Sequence, residues 1–271
     1  MIFPAKSKLP KPGSAPVYQT ELVQDSDVLI VSFSGLFGFL NNKERPFDFF
    51  MTAKMLAYNR ILIRDPYNLF YLRGVDENGF EHLLERFRAD IKKIQPRKII
   101  FIGASAGGFA AVLFGHLLGA DYIHAFGTRV HFKISKIIQY GDIKSLLNRL
   151  PTIFKLTFLL PPQHRCYLDL KSFLKENINP NPNTKTNLHA CAYCVDAARA
   201  NYLKDIPNTR IFLYPCEQHN VAAILLKSQC LHYMLLKQNL DTPEDVYKKF
   251  YGDFDPSKPL LSQKLVKADP L

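Results

Sequence analysis

The chain has 271 residues, 47% of them hydrophobic, enough to bury one sizeable core, and α/β domains of that length are commonly single. Five scattered cysteines do not make a disulfide framework and point to a reducing, cytoplasmic compartment, while no stretch approaches the roughly 18 apolar residues of a membrane span. The net charge of +11 bears on partners rather than on fold.

Residues 1–20, rich in Pro and Lys and without an apolar leader segment, are expected as an arm with little regular structure. Val28-Leu-Ile-Val-Ser-Phe33 is apolar except for Ser32 and reads as a buried strand, running into Ser34-Gly35-Leu36-Phe37-Gly38. A Gly-containing bend after an early strand is where an acyl-transfer enzyme of this architecture places one oxyanion-hole N–H, here Leu36; an ordinary glycine turn is the competing reading. Residues 47–58 have helical spacing, and 60–64 read as a second strand closed by Asp65-Pro66. We read Asp65 as turn chemistry, with Arg64 beside it as a partner, rather than as a catalytic carboxylate. Residues 80–94 form an amphipathic helix with Leu83, Leu84, Phe87 and Ile91 on one face.

The organising stretch is Lys98–Gly115. An apolar strand at 99–102 and a helix from Ala110 force residues 103–108 to turn, and Gly103-Ala104-Ser105-Ala106-Gly107 is G-x-S-x-G, the spacing of a nucleophile elbow. A phosphate loop would need Lys and Ser/Thr where Phe109 and Ala110 stand, and a dinucleotide fingerprint would need Gly at Ser105. The second oxyanion donor would be Ala106, the residue after the nucleophile. Residues 122–126 form the next strand, so the order is strand, helix, strand, helix, strand, helix, strand. That alternation predicts a mostly parallel, doubly wound α/β sheet whose ligands bind beyond the strands' carboxyl ends.

From about 127 to 187 the alternation lapses. Residues 134–138 and 143–150 have helical spacing, Pro151 is expected to break the run, and 153–160 are apolar before Pro161-Pro162. An insertion here would cap the strand ends, its apolar stripe either packing on the body or touching an acyl chain. Residues 128–186 hold ten Lys/Arg against Asp142, Asp169 and Glu176, a balance of +7. An anionic small molecule, an acidic carrier protein or an anionic lipid surface fits that balance; nucleic acid fits less well, because the cations are interleaved with Ile, Leu and Phe. Asn177–Asn187 is expected as a loop.

Residues 188–195 read as a strand ending in Asp196. Cys191 and Cys194, three apart on such a strand, would point to opposite faces and could not share a metal. Residues 209–214 are the last strand, and the following loop delivers His219 to the same sheet edge as Ser105 and Asp196. Ser, Asp, His is the chain order of an α/β-hydrolase triad, with His219 as general base and Asp196 holding its tautomer. His116, His124 and His189 lie inside elements and His82 on a surface helix, so they compete poorly. Residues 241–271 read as a short helix after Thr242-Pro243-Glu244 and a tail suited to docking or simply fraying.

From about Val28 to Leu240 the chain resembles the α/β-hydrolase superfamily, and more narrowly a bacterial group of small hydrolase-like proteins described either only as uncharacterised or as associated with glycan biosynthesis. The resemblance rests on Gly103–Gly108, Gly119-Ala-Asp-Tyr-Ile-His-Ala-Phe126, Tyr167-Leu-Asp-Leu170, Asp196–Leu203 and His219-Asn220-Val221. Where that group often has His three residues past the acid this chain has Arg199, and Cys216-Glu217-Gln218 replaces small glycines before His219. The implied organisation is a hydrolase domain over 21–240 with a cap at 127–187. The implied activity is ester or thioester hydrolysis or acyl transfer through Ser105, with no cofactor or metal. The alternative is a hydrolase-like binding module without turnover in a biosynthetic complex.

Overall fold

A computed structural model describes residues 16–36, 47–139, 143–176, 181–217, 219, 221–252 and 254–258. Seven strands, β1 (Tyr18–Glu21), β2 (Val28–Phe33), β3 (Asn59–Ile63), β4 (Lys98–Ala104), β5 (Tyr122–Phe126), β6 (Lys185–Cys191) and β7 (Thr209–Tyr214), form one sheet in the order β1-β3-β2-β4-β5-β6-β7. All pairings are parallel except that of β1 with β3. Strand β1 departs from the irregular arm expected there: it closes the sheet edge, and the Tyr18 hydroxyl donates to Asp90 at 2.8 Å.

The apolar strands are apolar because both faces are covered. Along β2, Leu29, Val31 and Phe33 enter one core layer while Val28 and Ile30 enter the other. The first layer is roofed by α2 (Gly79–Ile94), α3 (Ala106–Leu118) and the insertion after β5; the second by α1 (Phe50–Met55), α8 (Val221–Lys227), α9 (Cys230–Leu235) and α10 (Pro243–Tyr251). Phe33 anchors the first layer, its ring 5.2–5.7 Å from those of Tyr71, Phe87, Phe101 and Phe114.

The insertion comprises α4 (Ile134–Gln139), α5 (Ile143–Leu159), a 3₁₀ turn at Pro162–Leu168 and α6 (Leu170–Glu176). Ile137, Ile153, Leu156 and Leu160 are buried in the first layer, so the inner stripe packs on the body of the protein. Pro151 does not end the helix as expected: α5 runs through it, held by Ile153 and Leu156 on its far side. Asp65 is turn chemistry, its carboxylate accepting the N–H groups of Tyr67, Leu69 and Tyr71, although burial raises its pKa to about 6.

Beneath the strand ends lies a polar run. Asn187 Nδ2 is 3.3 Å from His124 Nε2, His124 Nδ1 is 3.1 Å from His189 Nε2, and His189 Nδ1 is 2.8 Å from the Tyr214 hydroxyl. Burial drives the pKa of His124 down to about 3 and that of His189 well below the usual imidazole range, so both rings are neutral. Among the described residues no helix is long and apolar enough to cross a membrane. Part of the Ser34–Gly38 bend, part of the 177–187 loop and most of the C-terminal tail lie outside the described residues.

Candidate active site

Ser105 joins β4 to α3 with φ 55° and ψ −112°, a backbone conformation that L-residues rarely adopt. The glycines around it make that turn feasible. A Cβ at Gly103 would lie 2.1 Å from the Gly107 carbonyl oxygen, one at Gly107 would lie 2.1 Å from that of Phe33, and one at Gly108 would lie 2.1 Å from Thr128 Oγ1. The two glycines of G-x-S-x-G therefore reflect two close backbone crossings, and Gly108 just after them a close approach of the Thr128 side chain.

The pairing Phe33↔Gly103 carries Gly35 alongside Ser105, where a Gly35 Cβ would come 3.8 Å from that of Ser105. Leu36 follows directly, and Ala106 opens α3. The loop is fastened by Asp48, which sequence reasoning missed because it read as part of a helix's first turn. Gly35 N–H donates to Asp48 Oδ2 at 2.8 Å, Asp48 N–H to Ser34 Oγ at 3.0 Å, and Ser32 Oγ to the Asp48 carbonyl at 2.8 Å. Burial raises the Asp48 pKa against the opposing pull of the Gly35 N–H.

Asp196 is not at a strand end as expected. Strand β6 stops at Cys191, and Asp196 is the second residue of α7 (Val195–Tyr202), whose N-cap is Cys194. With Cys194 off the strand, the opposite-faces argument does not apply to the Cys191/Cys194 pair; all five cysteines are free thiols. Among the described residues no group of three or more His, Cys, Asp or Glu is placed to hold a metal.

The Asp196 carboxylate is buried and engaged at both oxygens: His219 Nδ1 lies 2.6 Å from Oδ2, and Arg199 Nη1 donates to Oδ1 at 2.8 Å. Burial alone would raise its pKa, but the His219 hydrogen bond and the charges of His219 and Arg199 together hold it below the ordinary carboxylate range. His219, on the loop after β7, keeps 47% of its side chain exposed. Its neighbours Gln218 and Asn220 lie outside the described residues.

One peptide brings the two halves together. Ser105 N–H donates to the Phe126 carbonyl at 2.8 Å, and at the next residue, Gly127 (φ +53°), a Cβ would lie 3.0 Å from His219 Cε1 and 3.1 Å from Nδ1. Ser105 and the His219–Asp196 pair thus sit against the same Phe126–Gly127 peptide, which Gly127 N–H ties to the His189 carbonyl at 2.8 Å. Sequence reasoning placed all three residues at one edge; it missed Gly127, whose only signal was a glycine straight after a strand.

No family model matches the chain, and no curated protein does. Solved structures do. The capsule O-acetyltransferase of Neisseria meningitidis serogroup A superposes with a TM-score of 0.57 at 13% identity, over 80% of this chain and 90% of that one. A mutant of the same acetyltransferase in complex with CoA gives 0.52 at 15% identity, over 79% and 90%. A Glycosylation Associate Protein (Gap123) complex from Streptococcus agalactiae gives 0.54 at 16% identity over 82% of this chain, which spans only 44% of that one. With its mostly parallel sheet, helices on both faces and the turn at Ser105, the chain has a fold of the α/β-hydrolase type.

Proposed function

We propose that this chain transfers or hydrolyses an acyl group through a covalent intermediate on Ser105, with His219 as general base and Asp196 as its orienting acid. The observation that carries the reading is the 2.6 Å contact between His219 Nδ1 and the buried Asp196, made beside the peptide that holds the Ser105 N–H. With Nδ1 committed to Asp196, Nε2 is the nitrogen left to take the Ser105 proton.

As the Ser105 Oγ–H bond breaks, Oγ bonds to the acyl carbon and the carbonyl electron pair moves onto oxygen. The N–H groups of Leu36 and Ala106 would stabilise that oxyanion. Collapse expels the alcohol or thiol, which leaves with the proton held on His219, and a hydroxyl acceptor or water then reverses the sequence. The capsule O-acetyltransferase neighbour forms a complex with CoA, which makes a thioester donor, small or carrier-borne, and a hydroxyl acceptor the first pair to test. The balance of +7 over residues 128–186 suits an anionic substrate or an acidic carrier protein, and the free thiols suit the cytoplasm.

A fluorophosphonate probe should modify Ser105 covalently, and Ser105→Ala should abolish the modification. A folded wild type that stays unmodified refutes the covalent reading. It would favour the second one, a module without turnover in a biosynthetic complex, which the likeness to part of the glycosylation-associated complex supports.

A further inference from the structure

Nine large apolar side chains are exposed among the described residues, and five of them lie on the cap: Ile134 and Ile138 on α4, and Leu150, Phe154 and Phe158 on α5. Helix α5 is apolar twice over. Its inner residues Ile153 and Leu156 are buried in the core, while Leu150, Phe154 and Phe158, four residues apart, form a second row that is 44–63% exposed. The Phe154 and Phe158 ring centres are 4.4 Å apart, so the row is continuous there. The inner face suffices to fix the helix on the protein; the outer row adds nothing to that packing and is a cost in water. With side chains of this size, the five exposures come to roughly 500 Å² of apolar surface, near the upper end for a monomer.

Charge says what covers it. Residues 133–165 contain six Lys/Arg and a single acidic residue, Asp142, and Lys155 is exposed within the outer row. The Thr157 hydroxyl is spent on the Ile153 carbonyl at 2.8 Å, so beside the apolar side chains the row presents the Lys155 cation. A headgroup–acyl boundary asks only for apolar side chains with cations beside them.

We infer that this face of the cap seats on an anionic lipid bilayer, with Phe154 and Phe158 entering the boundary and the neighbouring Lys and Arg meeting lipid phosphates. The seating does not require Ser105 and is independent of the acyl-transfer reading. Flotation of the full chain with phosphatidylcholine vesicles, and with vesicles containing a quarter phosphatidylglycerol, tests it. The wild type should float with the anionic vesicles and weakly with the neutral ones, and should release as salt is raised. The double variant F154S/F158S, at two sites more than 60% exposed, should keep its melting temperature and lose partitioning about tenfold or more. K155E should weaken binding to anionic vesicles only. Failure of the wild type to float at low salt overturns the inference, as does equal flotation of F154S/F158S. A wild-type dimer dispersed by F154S/F158S, without vesicle binding, assigns the row to a second copy and also overturns it.

Discussion

Gly127→Ala probes the peptide shared by Ser105 and His219 without replacing either residue. At φ +53° an L-side chain costs about 1 kcal/mol relative to glycine. The new methyl would also lie 2.8 Å from the His219 carbonyl oxygen, 3.0 Å from Cε1 and 3.1 Å from Nδ1, closer than van der Waals contact allows. The His219 loop must therefore retreat by several tenths of an ångström, which brings the expected loss of stability to about 1–3 kcal/mol. At about 2–4 °C per kcal/mol for a domain of this size, the melting temperature should fall by roughly 2–12 °C. Misplacement of a catalytic group by 1 Å can cost about a hundredfold, so the rate of fluorophosphonate modification at 25 °C should fall by about 10- to 100-fold. The assay pairs that rate with circular dichroism and a thermal melt. A folded variant with a lowered melting temperature but a modification rate within about twofold of wild type would refute the placement of His219 as the base.

Ser105→Gly should abolish modification yet raise stability by about 1–3 kcal/mol, since glycine tolerates φ 55° and ψ −112°; a lower melting temperature than wild type would count against strain at the turn. Asp196→Asn should lower turnover of an activated ester by about 10³–10⁴; unchanged turnover would remove Asp196 from the site. Acid should unfold the protein early. His116, His124 and His189 have folded-state pKa values below their unfolded ones, so stability falls as pH drops below the unfolded value, near 6.5. Asp65, raised to about 6, and Asp48 pull the other way, leaving a net of about one to two protons, or about 1.4–2.8 kcal/mol per pH unit below 6. Urea midpoints that do not move between pH 7 and pH 5 would contradict this.

What the sequence made legible was what local chemistry dictates. The unbroken apolar run at 99–102 marked β4 and the largely apolar run at 28–33 marked β2, because strands covered on both faces bury most of their side chains, and Gly103 and Gly107 marked the turn because the backbone crosses itself closely there. What stayed hidden depends on residues far apart in the chain. Strand β1 exists because β3 lies beside it, and α5 continues past Pro151 because the core receives Ile153 and Leu156. Asp196 reached the expected rim by an unexpected route, since the chain leaves the sheet at Cys191 and begins a helix after Cys194. Asp48 belongs with the candidate site only through the fold: a carboxylate after Pro46-Phe47 has no local mark to separate it from any first-turn acid.

The Phe126–Gly127 peptide is also the stem from which the cap departs. Thr128, the next residue, is wedged against Gly108, and Gly127 is tied to β6. The cap is thus clamped at its root before its first helix begins. A change in the helices of the insertion beyond that root therefore reaches the Phe126–Gly127 peptide only through a segment already pinned on both sides, to Gly108 and to β6.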